Sequence, residues 1–178
     1  MTAKTIHDSS RARAAEIVRE YGPFAGATQV HGVTHDGQRV WAATGEKLVA
    51  FDPDSGETTK ALDRTCDAGT AFDGTHLYQI AEARIDKIDP ATGAVRRTIE
   101  CNRFVTGVTW VDGELWHGTW EAEESDIRRI DPRSGEVLER LEMPRGTGVS
   151  GLESDGAGLF YCGGGPSGKV RAVRRPAH

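Results

Sequence analysis

The chain has 178 residues, 37% hydrophobic and 28% charged, with 22 glycines against two methionines and a formal net charge of −5. That length suits one domain, 1–178, and the glycine-rich, methionine-poor composition excludes a disordered chain and disfavours a helical one. The acidic balance with dispersed basic residues excludes nucleic acid as the main partner, and the lack of any long apolar run excludes a membrane span.

In chain order the first element is "AEIVREYG" (15–22), which matches "GEVLERLE" (135–142) nearly position by position and so reads as a strand. Ala14, Ile17, Val18 and Tyr21 also fall at helical spacing ahead of Gly22 and Pro23. The strand is preferred, because a helix would leave the last repeat without an outer partner.

From residue 30 one pattern is written four times, over about 30–66, 67–104, 105–148 and 149–176. Asp-Gly pairs at 36–37, 73–74, 112–113 and 155–156 lie 37, 39 and 43 residues apart, a spacing typical of propellers and solenoids. Each unit opens with a Gly-containing apolar strand, turns at Asp-Gly, and continues into a strand whose aromatic is Trp41, Tyr78, Trp116 or Phe160. In the first three units a third strand ends in Asp-Pro-x-Ser/Thr-Gly and a fourth leaves it. The fourth unit stops after its third strand, and 15–22 can supply the fourth. The expected fold is all-β, a small four-bladed β-propeller whose N-terminal strand completes the last blade.

Turns joining strands one to two and three to four lie on one face of such a fold and are uniform here. The loops "TGEK", "AEAR", "TWEAEESD" and "GGGPSG", and the connections between units, lie on the other face and vary. Function is expected on the variable face. His31, Ala68, Thr106 and Ser150 precede the recurring glycine of each first strand and should converge near the axis, flanked by Gln29, Cys66, Asp67 and Arg103. Second-strand ends add His117, Thr119, Trp120 and Cys162, with Glu121, Glu123 and Glu124 in the longest loop.

His31 is the first candidate for acid–base work, with Glu153 and His117 beside it. Glu153 stands where other units carry Thr34, Ala71 and Thr109, so it is a candidate base or a partner for Arg145. Gln29, Asp67, Arg103, Thr106, Trp120, Glu121 and Ser150 are the candidate ligand-binding residues. No organic cofactor is expected. A single divalent metal in the axial channel, held by His31, His117, Asp67 and Cys66, is an alternative that no motif announces. "GGGPSG" (163–168) lacks the Lys-Ser/Thr ending of a phosphate loop and reads as a flexible loop between strands. The tail "KVRAVRRP" reads as a solvated strand face.

"VTGVTWVDGELWHGTWEAEESDIRRIDPRSGEVLERLEMP" (105–144) resembles the propeller repeats of the plant and bacterial glutaminyl cyclotransferase family and, more loosely, virginiamycin B lyase repeats. The shared features are the Gly-x-x-x-x-Asp-Gly start, the Leu-aromatic pair and the Ile-Asp-x-x-Thr/Ser-Gly-x-Val third and fourth strands. The cyclotransferase resemblance implies a five-bladed propeller that cyclises N-terminal glutamine, with an acidic residue just after the Leu-aromatic pair. The corresponding positions here are Ala42, Gln79, His117 and Tyr161.

The functional expectation is a propeller binding a small polar molecule, with a cofactor-independent lyase, cyclase or isomerase step at an axial acid–base site. The alternative is a non-catalytic module that binds a ligand or a protein through Trp120, Arg103 and the Glu121 to Glu124 loop. A face-to-face homodimer is a third expectation. With no secretory leader and three unequally spaced cysteines, the chain reads as cytoplasmic, with free thiols.

Overall fold

A computed structural model describes residues 11–35, 38–66, 69–81, 83–89 and 94–177. Strands β1 (Arg11–Ala14) and β2 (Ile17–Tyr21) come first. The repeats then give β3 (Gly32–His35), β4 (Val40–Ala43), β5 (Gly45–Phe51) and β6 (Thr58–Cys66), followed by β7 (Thr70–Phe72), β8 (Leu77–Ala81), β9 (Arg84–Ile88) and β10 (Val95–Glu100). The third repeat forms β11 (Val105–Val111), β12 (Glu114–Glu121), β13 (Glu124–Ile130) and β14 (Val137–Glu142), and the fourth forms β15 (Leu152–Ser154), β16 (Leu159–Gly163) and β17 (Val170–Arg174).

The described residues form four sheets, and within each repeat the strands run from inner to outer in chain order. The last sheet is completed by β2, which runs antiparallel to β17 with Val170 opposite Tyr21 and Arg171 opposite Glu20. The 15–22 segment is therefore extended, as its match to 135–142 requires. Arg19 and Tyr21 on β2 reach the Asp52–Gly56 turn of the first sheet: Arg19 donates to the carbonyls of Asp54 and Ser55, and the Tyr21 hydroxyl donates to that of Pro53 at 2.6 Å. One strand thus finishes the last sheet and ties it to the first.

β1 adds what the repeat did not foretell. It pairs in parallel with β14 as a fifth strand, Arg11 opposite Glu139, and its Arg13 meets the buried Glu139 carboxylate at 3.0 Å.

The inner strands approach so closely that side chains do not fit between them. A Cβ built on Gly107 would fall 2.3 Å from the Leu152 nitrogen, and one on Gly151 would fall 2.3 Å from the Gly32 Cα. With Gly69 these glycines line one cavity of about 40 Å³. The recurring glycine of the sequence is the residue that lets neighbouring backbones touch around an axis. The sheets pack face to face, so the core divides into apolar layers between them. Tyr78, Ile85, Leu115 and Ile130 fill the layer between the second and third sheets. Trp116, Ile127, Leu141 and Phe160 fill the next, and Phe51, Val40, Tyr161 and Tyr21 join the fourth sheet to the first. Tyr78, Trp116 and Phe160 are fully buried, and the last two rings lie 4.9 Å apart. The architecture is a β-propeller.

The uniform turns are uniform for geometric reasons. At Asp112-Gly113 both φ angles are positive, 51° and 78°, which matches the twist of a two-residue hairpin. Asp52 accepts the backbone N–H groups of Ser55 and Asp54, both at 2.8 Å, and Asp131 accepts that of Arg133 at 2.7 Å, and these bonds lower both carboxyl pKa values.

Candidate functional site

Gly32 and Gly151 lie side by side, so positions on their strands can be compared in height. His31 is exposed, one residue before Gly32, while Glu153 is two residues past Gly151. Three residues of strand separate their levels by about 10 Å. Glu153 lines the axial cavity and accepts bonds from the Thr109 hydroxyl at 2.7 Å and the Ser154 N–H at 3.0 Å. Arg145 turns instead to Glu123 at 2.7 Å. His117 lies in the second strand, fully buried, opposite Val108 and Arg128. The three candidate catalytic groups occupy separate surroundings.

The axial cavity has room for about one water, well below the several hundred Å³ of an ordinary ligand pocket. Residues around its mouth on the variable face serve the fold. The Ser150 hydroxyl donates to the Val30 carbonyl and accepts from the Gly165 N–H at 3.0 Å. Trp120 donates to the Ala122 carbonyl, and a Cβ on Gly148 or Gly165 would fall 2.6 Å from its indole ring. Thr106 Oγ1 is buried with no hydrogen-bond partner among the described residues, and Gln29 is exposed. Asp67 and Ala68 lie outside the described residues. Residues 163–165 are buried and lead into a single 3-10 turn, Gly165–Ser167, so "GGGPSG" is packed rather than loose. The basic tail meets acids of the N-terminal strands: Arg171 pairs with Glu20 at 3.2 Å and Arg174 with Glu16 at 3.2 Å.

Off the axis, the variable end of the third sheet holds a cavity of about 290 Å³. Arg103 comes from the connection before β11, Glu124 and Asp126 from β13, Arg140 and Glu142 from β14, and Ser125, Met143 and Arg145 complete the wall. Its floor is built on Asp126, which is buried. Arg128 grips that carboxylate with two bonds, Nε to Oδ1 at 2.7 Å and Nη2 to Oδ2 at 3.0 Å, and the Thr119 hydroxyl donates to Oδ1. Arg103 and Arg140 each stand 3.8 Å from Asp126 Oδ2. Arg128 also donates to Asn102. Register places Thr119 opposite Asp126 and His117 opposite Arg128, so these polar groups share one face of the sheet.

Of the expected binding residues, Arg103 lines this cavity, and Glu121 and Glu124 lie against it, with Glu121 Oε2 at 3.7 Å and Glu124 Oε2 at 2.9 Å. Asp126, Arg128 and Arg140 were not singled out from the sequence. Their signal is faint but real: in "DIRRIDP" Arg128 occupies the register of Val49 in "KLVAFDP", a charge where another repeat buries an apolar side chain.

Burial, reinforced by the Arg128 charge, pushes the His117 pKa down to about 4. Its imidazole is neutral at pH 7. The unfolded imidazole takes its proton near 6.5, so between about 6.5 and 4 the unfolded state binds the extra proton and stability falls with acidification. Denaturant titrations at pH 7 and pH 4 should differ by about 3 kcal/mol more in the native chain than in His117→Gln; equal differences would show that His117 does not carry the slope.

Burial also raises the thiols, Cys101 to about 11 and Cys162 to about 12, which suppresses thiolate chemistry at both. Among the described residues no three His, Cys, Asp or Glu side chains converge as a metal site requires, and no helix is long and apolar enough to cross a membrane.

Comparison with protein-family models and with curated proteins gives no match. Solved structures do match: the chain is 16% identical to the glutaminyl cyclase of Myxococcus xanthus, covering 93% of itself and 98% of that chain at a TM-score of 0.53. The likeness is one of fold. Hydrazine synthase of Kuenenia stuttgartiensis matches at 14% identity and a TM-score of 0.46, over 78% of this chain and 42% of that one. The RRP9 WD40 repeats match at 14% identity and 0.45, over 90% and 52%. The resemblance of residues 105–144 to glutaminyl cyclotransferase repeats is thus a resemblance of scaffold, and at these identities a scaffold does not carry side-chain chemistry with it.

Proposed function

We propose that the protein is a non-catalytic binding module that takes a small polar molecule in the cleft at the variable end of its third sheet. The observation that carries this reading is the contrast in room: about 290 Å³ over a floor of fixed charges off the axis, against about 40 Å³ on it. Support against an axial acid–base site comes from His117, which is buried and neutral, and from the difference in height between His31 and Glu153. Glutaminyl cyclisation is not proposed, because Ala42, Gln79, His117 and Tyr161 offer no carboxylate after the aromatic pair.

Titrating ¹⁵N-labelled protein with succinate, inorganic phosphate, L-lysine and L-glutamine should shift the amide signals of Arg103, Ser125, Asp126 and Met143. Shifts gathered instead at His31, Gly32 and Gly151, or no shifts with any probe, would overturn the reading. A peptide with N-terminal glutamine should keep its mass on incubation with the protein; loss of ammonia would overturn the non-catalytic part.

A further inference from the structure

The charges around the cleft are not equally fixed. Arg128 and Asp126 are locked together in the interior, and because Arg128 holds both Asp126 oxygens, the two nearly cancel. Arg103 and Arg140, with side chains 22% and 25% exposed, then stand on either side of Asp126 Oδ2 as two half-buried positive charges. The carboxylates on them belong to loose, solvated side chains. Glu124 is 72% exposed and meets Arg103 at 2.9 Å, and Glu142 is 54% exposed and meets Arg140 at 2.7 Å. Ion pairs that exposed contribute little and are readily exchanged. A carboxylate or phosphate oxygen taking their place would make the same charge-assisted bonds from arginines already half desolvated.

We propose that the cleft binds a compact dianion, a dicarboxylate or a phosphate, with one anionic oxygen on Arg103 and another on Arg140, and that Glu124 and Glu142 are built-in competitors for those arginines. The proposal rests on the cleft reading above and adds the sign and number of charges on the ligand. It has an unusual consequence: removing two acids from the rim tightens binding, beyond relief of general repulsion, because it takes the shortest carboxylate contact off each guanidinium group and leaves the longer ones, Glu121 at 3.7 Å on Arg103 and Asp126 at 3.8 Å on both. Glu16, 66% exposed and paired with Arg174 at 3.2 Å outside the cleft lining, serves as the internal control for that general effect.

The test is calorimetric titration of succinate, inorganic phosphate and L-lysine into the native chain, the Glu124→Gln/Glu142→Gln double variant, the Glu16→Gln variant, and the Arg103→Gln/Arg140→Gln double variant. Thermal melts establish that each is folded. The expected result is succinate or phosphate binding that strengthens about tenfold in Glu124→Gln/Glu142→Gln, changes little in Glu16→Gln, and weakens at least about tenfold in Arg103→Gln/Arg140→Gln. Succinate alone responding assigns the ligand to the carboxylates, and phosphate alone assigns it to the phosphates. Anion binding that is equal in all folded variants overturns the proposal. Lysine binding that disappears in Glu124→Gln/Glu142→Gln overturns it while leaving the cleft as the site, and a cleft that takes no probe overturns both readings.

Discussion

Gly107→Ala and Gly151→Ala are each expected to destabilise the fold by about 3 kcal/mol or more, while Gly69→Ala stays within about 0.5 kcal/mol of the native chain. All three glycines occupy the same position of the repeat, so sequence reading alone would treat them alike. The difference lies in what each Cβ would meet. On Gly107 it would fall 2.3 Å from the Leu152 nitrogen and 2.6 Å from the Gly151 carbonyl carbon, and on Gly151 2.3 Å from the Gly32 Cα. These are backbone atoms held in hydrogen-bonded strands, with no flexible end to swing aside. The inner strands would have to separate, opening the apolar layers behind them. At Gly69 no atom of the described residues lies within 4 Å of the added Cβ, and the gain in backbone order from alanine offsets any small loss. Urea unfolding of the three variants decides the matter; similar midpoints for Gly107→Ala and Gly69→Ala would mean that the inner strands are not in backbone contact.

Much of this architecture is legible in the repeat. The Asp-Gly pairs and the third-strand Asp-Pro turns mark geometry that any side chain must respect, so they recur wherever a hairpin of that type is needed. The match of 15–22 to 135–142 anticipated both the existence and the place of β2, because a buried outer-strand residue, Tyr21 or Leu141, is required at the same point in each. β1 was not legible. "RARA" alternates only with alanine, and Ala12 and Ala14 are both exposed, since a parallel strand added at an outer edge buries little and is held by backbone bonds and by Arg13 on Glu139. The cleft was only partly legible. Arg103 lies in a connection on the variable face, where function is expected, whereas Glu121 and Glu124 are the paired end residues of β12 and β13, so the long loop expected there is a tight turn. Asp126, Arg128 and Arg140 lie inside strands, where a charge normally signals a solvated face. Only cross-strand register shows that Arg128 and Asp126 point into the layer between sheets. Trp120 drew attention as a ligand contact, but its ring lies against Gly148 and Gly165, two loop glycines whose spatial adjacency no spacing reveals.

The second large effect concerns the buried pair beneath the cleft. Asp126→Ala is expected to cost about 3–5 kcal/mol, because it leaves the Arg128 guanidinium in the interior without its counter-charge. Arg128 is 1% exposed; the Asn102 side chain would remain as a neutral acceptor, which satisfies one N–H and no charge. The same reasoning gives the double variant the opposite character. Asp126→Leu with Arg128→Met removes both charges and fills similar volume, so it should recover most of the loss and return to within about 2 kcal/mol of the native chain. A double-mutant cycle by urea unfolding measures this coupling directly. Arg128 also carries the second cause of the low His117 pKa, after burial. The double variant should therefore keep an acid-sensitive stability between pH 6.5 and 4, but with a shallower slope than the native chain. If Asp126→Ala alone costs less than about 1 kcal/mol, the pair is not desolvated as the fold implies. The fixed charge that separates Arg103 from Arg140 would then be solvated as well.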